Sequence, residues 1–189
     1  MTKYFKSKKI LLNEDAASKP AILKVEYGKI VGILDYDQIT PADETVDYGS
    51  LMLLPGLVDT HAHINEPGRT EWEGFETATN AAASGGITTV VDMPLNSIPA
   101  TTTLDALNVK RASAKGKCKI DYGFWGGVVP GNAAELQPMI DAGVIGFKCF
   151  LIESGVDEFK MVTREDLKHA MPILAKNHIP LIVHAELDL

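Results

Sequence analysis

After Gly49 the chain settles into a steady alternation of apolar run, loop and helix-forming stretch, and no other feature limits its folding so tightly. Strands separated by helices run parallel, so the expected architecture is α/β, a parallel sheet with helical crossovers. Leu51 to Val58 is a nearly continuous apolar run, as expected of a strand buried on both faces. Glu71 to Ser84 is alanine-rich and reads as a helix closed by Gly85-Gly86. The β-branched run Ile87 to Asp92 is a second strand, and Leu104 to Lys115 has helical spacing. Ile120 to Val129 is strand-like again, and Ala133 to Ala142 is a helix ending at Gly143. Val144 to Phe150 is a fourth strand, Glu165 to Asn177 a helix and Pro180 to Val183 a fifth strand. No residue-level repeat accompanies this rhythm. An open doubly wound sheet and a (β/α)8 barrel both satisfy it.

The first 50 residues have a different texture. Between Ile10 and Tyr48 the apolar stretches are short and turns are frequent. Ala21 to Val25 runs into Tyr27-Gly28-Lys29 and then Ile30 to Leu34, and a glycine between two apolar runs signals a hairpin. The division expected is therefore a small unit of short antiparallel strands over residues 1–50, too small to be stable alone, and a βα domain over 51–189.

Composition narrows the function classes. A hydrophobic fraction of 46% with 23% charged residues is that of an ordinary globular protein. A net charge of -7 argues against binding nucleic acid, which calls for a basic surface. The lysines between Lys3 and Lys9 read as solvated surface. Cys118 and Cys149 lie in apolar runs; a disulfide is one reading, and free thiols in a reducing compartment is the favoured one. No run reaches the ~18 apolar residues of a membrane helix, and Met1-Thr2-Lys3 opens no secretory signal. The expectation is a cytoplasmic protein with no membrane partner.

Chemistry gathers at the strand ends. The first strand runs into His61-Ala62-His63, and residues two apart in an extended chain point to one face, so both imidazoles can reach one ion. Alone, such a pair is more often the mark of surface or capping histidines. Its setting after a buried strand and Pro55-Gly56, flanked by Asp59 and Asn65, favours metal. Lys148 lies between apolar residues at the end of the fourth strand. It either snorkels to solvent or pairs with a carboxylate such as Glu153, or it is a desolvated amine that gives up its proton and becomes reactive. His184 ends the fifth strand, where a structural histidine is the alternative. His169 and His178, in and just after a predicted helix, read as surface residues. In a closed barrel the ends bearing His61, His63, Lys148 and His184 converge on one mouth, whereas an open sheet strings them along an edge. The constellation thus argues for a metal site and for the barrel together.

These residues carry a resemblance. Pro55-Gly56-Leu57-Val58-Asp59-Thr60-His61-Ala62-His63 resembles the signature of the cyclic amidases of the amidohydrolase superfamily: dihydroorotases, hydantoinases and allantoinases. The stretches from Ile64 to Phe75 and from Val91 to Ser97 resemble the allantoinase branch. The resemblance implies a (β/α)8 barrel preceded by a partial β-sandwich, and a binuclear centre of divalent ions, usually zinc. His61 and His63 would bind the more buried ion and His184 the second. Lys148, carboxylated by carbon dioxide, would bridge them, since only an amine forms the carbamate that turns a buried cation into an anionic ligand. The ions would activate water and polarise a ring carbonyl. The implied reaction is hydrolysis of the cyclic amide of allantoin to allantoate in purine catabolism. Related ring-opening amidases, of the hydantoinase and dihydropyrimidinase kind, are the alternative, as is a non-catalytic scaffold.

Substrate reading turns on Asn65. Dihydroorotases typically have arginine and hydantoinases aspartate at this position; a neutral amide suits an uncharged ureide, though it equally caps the following turn. Asn96 carries the same ambiguity. A full barrel takes about 250 residues, and five strands are expected here. The family's further histidine and its general-base aspartate are therefore expected beyond Asp188-Leu189, the sequence reading as a fragment, a truncated product or one half of a split protein, with a homo-oligomer expected of the complete form.

Overall fold

In a computed structural model, which describes residues 1–12 and 17–186, the chain divides into two compact units, Met1–Pro55 and Gly56–Leu189. Asp188 and Leu189 lie outside the described residues.

In the first unit, β1 (Thr2–Ile10), β2 (Lys19–Glu26) and β3 (Lys29–Leu34) form an antiparallel meander. The β2–β3 turn is made by Tyr27 and Gly28 at φ 51° and 77°. Positive φ at both central residues is what a two-residue hairpin with matching twist requires, and Gly28 meets it without steric cost. Not all strands are antiparallel as expected: β4 (Thr45–Asp47) and β5 (Met52–Leu53) both run parallel to β1. The segment after Leu34 carries the chain past β2 and β1 to the far edge, and such a crossover leaves no local turn signature. Ile10, Ala21 and Ile22 are buried, and the buried Ser7 hydroxyl donates to the Leu51 carbonyl at 2.5 Å.

The expected first strand of the βα domain is thus displaced. Met52–Leu53 belongs to the N-terminal sheet, and the strand itself is β6, Leu57–Ala62. Nor is it buried on both faces, since Leu57 and Val58 are each 60% exposed. Only β7 pairs with β6 among the described residues, so hydropathy marked the strand without marking its surroundings.

From β6 the order is α1 (Phe75–Ser84), β7 (Ile87–Asp92), α2 (Leu104–Ala114), β8 (Asp121–Phe124), β9 (Gly126–Gly127), α3 (Ala133–Asp141), β10 (Phe147–Phe150), α4 (Arg164–Lys176) and β11 (Leu181–His184). All pairings are parallel: β6–β7–β8 and β9–β10–β11. The predicted strand over 120–129 is broken at Trp125. Hydrogen bonds from Ile145 N to Phe124 O and from Gly126 N to Gly146 O join the two halves across that break. The break follows from packing: Trp125 lies so close over Gly146 that a Cβ there would come within 2.2 Å of its ring.

Helix starts are fixed by side-chain caps. Thr103 Oγ1 accepts from Ala106 N in α2, and Thr163 and Asp166 form a capping box at α4. Helix α1 starts at Phe75, later than expected, because Glu66 Oε2 accepts the Phe75 N–H at 3.0 Å and places the helix end there. Residues 71–74 remain in the loop that begins after His63.

The strands alternate their side chains between two cores. Val90, Phe124, Phe147 and Cys149 pack with Leu107, Leu136, Met139 and Leu174 of the helices. Val91, Met93, Trp125 and Phe150 pack with Leu95, Ala100 and Phe159 on the other face. Neither cysteine is in a disulfide; Cys149 is buried and Cys118 half-buried. No helix among the described residues is long and apolar enough to cross a membrane.

Candidate metal centre

His61 lies within β6, which runs on to Ala62 instead of ending at Val58, and His63 lies just beyond it. Strand β6 bulges here: Asp59 pairs with Val90 and Ala62 with Asp92, so Thr60 and His61 together oppose Val91. A bulge re-aims side chains and leaves backbone groups unpaired. Both orphans near it find partners, with Trp125 Nε1 donating to Thr60 O at 2.9 Å and Asp59 Oδ1 accepting from His61 N at 2.9 Å. The two imidazole centroids stand 5.3 Å apart, tilted by 43°.

In β10 the alternation sends Phe147 and Cys149 toward the helices and Lys148 and Phe150 to the opposite face. Phe150 pairs in register with His184 of β11, and their rings stack at 4.8 Å and 13°. Lys148 Nζ lies 4.9 Å from the centre of the Phe150 ring. His61, His63, Lys148 and His184 line one cavity of about 560 Å³, together with Asn96, Leu95, Phe150 and Ser154.

Lys148 is 5% exposed, and among the described residues no carboxylate forms an ion pair with it, Glu153 included. Burial therefore holds its amine below the ordinary lysine range. His63 is likewise held below its ordinary value, first by desolvation and then by repulsion from His61, although the residue as a whole stays accessible from the cavity. Glu186 Oε1 lies 3.1 Å from His184 Nε2.

This donor set can be tested against a metal. Among the described residues no three His, Cys, Asp or Glu side chains cluster as ligands. His61, His63 and His184 instead share the lining of one cavity with a lysine amine that has no carboxylate partner among the described residues and whose charged form is disfavoured by burial. Neutral imidazoles suit a borderline divalent ion such as zinc, and the buried amine supplies an anionic ligand once carboxylated. The residues fit the group.

Asn96 lines the cavity with φ 76°, and its carbonyl accepts from Arg69 Nη1 at 3.0 Å. Asn65 does not line it: 8% exposed, it uses its backbone N–H and carbonyl to brace the loop through Glu73 O and Arg69 N, each at 2.9 Å. His169 and His178 are exposed and away from the cavity. Sequence reasoning missed Phe150 and Ser154 in the lining. It also missed Asp92 and Lys110, a buried ion pair 2.6 Å apart behind His63, where a lysine in a predicted helix gave no reason to look inward.

A family model described as "Amidohydrolase family" matches residues 52–189. The chain is 55% identical over 170 residues to an allantoinase of Streptomyces avermitilis, covering 89% of this chain and 38% of that protein. It is 46% identical over 183 residues to the allantoinase of Saccharomyces cerevisiae, covering 92% and 40%. The chain thus spans about two fifths of the length of these curated relatives. Among solved structures, the L-hydantoinase (dihydropyrimidinase) from Arthrobacter aurescens matches with a TM-score of 0.89 at 34% identity, over 100% of this chain and 42% of that one.

Proposed function

This chain belongs to the amidohydrolase family, and on that premise we propose that it supplies four ligands of a binuclear metal centre that opens the hydantoin ring of allantoin to give allantoate. The observation that carries the proposal is the convergence of His61, His63, Lys148 and His184 on one cavity. The likeness to allantoinases supports the substrate. In this reading the parallel strands are the first part of a (β/α)8 barrel, residues 51–189, and residues 1–50 are part of a β-sandwich.

His61 and His63 would hold one ion and His184 the other, with Lys148 between them as its carbamate. When bound, the metal pair supplies Lewis acidity toward a ring carbonyl and water of lowered pKa. The protein's part is preparation. Burial disfavours the charged form of Lys148 and so eases access to the neutral amine, whose lone pair can add to carbon dioxide with release of one proton as the carbamate forms. Desolvation keeps His63 neutral and able to donate a lone pair. Phe150, stacked on His184, holds that imidazole in one orientation. The Asn96 amide, which both donates and accepts, suits the alternating N–H and C=O groups of a ureide. Asn65, being off the cavity wall, supports the loop instead of reading the substrate directly.

The likeness to an L-hydantoinase favours a second reading, in which a 5-substituted hydantoin is opened in the same cavity. One experiment separates the two. The protein, purified with zinc and bicarbonate, is assayed for metal per chain and offered allantoin and 5-methylhydantoin in parallel. Zinc retention with allantoin turnover, both lost in Lys148→Ala, is the expected outcome. Turnover of the hydantoin alone would establish the second reading, and zinc content unaffected by Lys148→Ala would remove the lysine from the site.

A further inference from the structure

We infer that Asp92 and Lys110 are positioning residues for the metal centre: as a buried pair they lock the bulged end of β6 so that His61 and His63 face one point. The inference rests on the reading of those histidines as ligands and adds residues behind them.

Asp92 ends β7 and is 1% exposed, while Lys110 reaches inward from α2 and is fully buried. The Asp92 carboxylate has two engagements. Oδ1 accepts the N–H of Ile64, the residue directly after His63, at 2.7 Å, and Oδ2 lies 2.6 Å from Lys110 Nζ. Lys110 Nζ also donates to Met93 O at 2.8 Å, while Met93 N donates to Ala62 O at 2.8 Å. The residues on both sides of His63 are therefore hydrogen-bonded to Asp92 or its neighbour. The Asp92 carbonyl accepts from Trp125 N at 3.0 Å, and the Trp125 indole N–H bonds Thr60 O on the other side of His61.

Geometry explains why such a clamp is placed here. The bulge at Thr60 and His61 takes this stretch out of the regular ladder, so sheet pairing alone does not fix the two side chains. Chain direction after His63 depends instead on where the Ile64 N–H points. A carboxylate held by a buried ammonium makes a short, charge-assisted acceptor for it, stronger than a neutral one. Burying both charges is unfavourable unless they are paired and hydrogen-bonded; here they are paired, but Asp92 Oδ2 accepts no regular hydrogen bond among the described residues, and apolar residues filling such a space are often no less stable. The pair therefore has no need of retention for stability alone. Neither residue touches the cavity, so neither is a ligand or a catalytic residue.

The test compares two double variants of the whole chain. Asp92→Leu/Lys110→Met removes both charges and keeps the packing; Asp92→Asn/Lys110→Gln keeps an acceptor for Ile64 N–H and a donor for Met93 O without net charge. The readouts in metal-free protein are amide exchange at Ile64 and the ring-to-ring nuclear Overhauser contact between His61 and His63; the readout with metal is cobalt(II) titration followed by its visible spectrum. In the Leu/Met variant we expect a dispersed spectrum with accelerated Ile64 exchange, loss of the ring contact and cobalt affinity weakened about tenfold to a hundredfold. The Asn/Gln variant should retain all three within about threefold. A Leu/Met chain that stays folded with the ring contact and cobalt spectrum of the parent overturns the inference, as does an Asn/Gln chain no better than Leu/Met. If Leu/Met gives no dispersed spectrum, Lys110→Met alone is judged by the same criteria. Should the parent bind no cobalt, or His61→Ala bind as well as the parent, the metal reading fails, while the ring contact still decides the positioning role.

Discussion

At the scale of single residues, Lys148 shows how function and stability pull apart. An amine buried to 5% exposure with no counter-ion among the described residues destabilises the metal-free fold, because its charged form has lost its water without gaining a partner there. Lys148→Met should therefore stabilise the metal-free chain by about 1–3 kcal/mol in urea unfolding, a range set by the penalty for an uncompensated buried polar group. The same variant should lose bicarbonate-dependent zinc retention, read by elemental analysis. A methionine variant less stable than the parent would mean that the lysine has a partner the geometry does not reveal. Such an opposition between stability and use is common at functional sites. Lys148 was legible in the sequence as a misfit between apolar neighbours, but its register was not. That it shares a face with Phe150, while Phe147 and Cys149 face the helices, depends on where β10 begins, and β10 starts at Phe147 and not at Val144.

Among elements, the helices are set by their caps and the site by the strand ends. In α4, Thr163 Oγ1 accepts from Asp166 N, and the Asp166 carboxylate accepts from Thr163 N at 2.8 Å and from its hydroxyl at 2.6 Å. Thr163→Ala should lower stability by about 1 kcal/mol at neutral pH. The hydrogen bonds from Thr163 hold the Asp166 carboxyl below its ordinary range. A depressed folded-state value stabilises the fold above the unfolded-state pKa of about 4 and loses that contribution as pH falls through the lowered value. Thermal melts of the parent and Asp166→Asn should thus differ at pH 7 and converge near pH 2–3. A gap that persists in acid would assign the effect to packing. Helices α2 and α4 are capped by the threonines just before them, whereas the group that fixes the start of α1 is Glu66, nine residues before Phe75 and outside any helix pattern. The bulge in β6 was likewise invisible, because it exists only relative to β7.

For the molecule as a whole, metal binding should be coupled to stability. A ligand that binds only the folded chain stabilises it by about 2.7 kcal/mol at a hundredfold excess over Kd. For a chain of this length that corresponds to roughly 5–10 °C in Tm. Zinc with bicarbonate should raise the melting midpoint by that order, and EDTA should reverse it. An unchanged midpoint in calorimetry would show that the four ligands do not assemble a site in this chain. The linkage should act on the second unit, Gly56–Leu189, where all four residues lie.

The parallel βα order and the four candidate ligands were legible in the sequence, the order through local hydropathy and the ligands through polar side chains at strand ends within motifs that resemble a family's. Tertiary structure decided which of those residues meet. It brought Asn96 into the cavity and left Asn65 in the loop, turned Lys110 of an ordinary helix into the buried partner of Asp92, and gave Met52–Leu53 to the N-terminal sheet. Each outcome depends on a neighbour distant in sequence: a strand register, a bulge or a cap from another loop. Pattern along one chain carries the preference of each residue for burial, but not the partner that satisfies it.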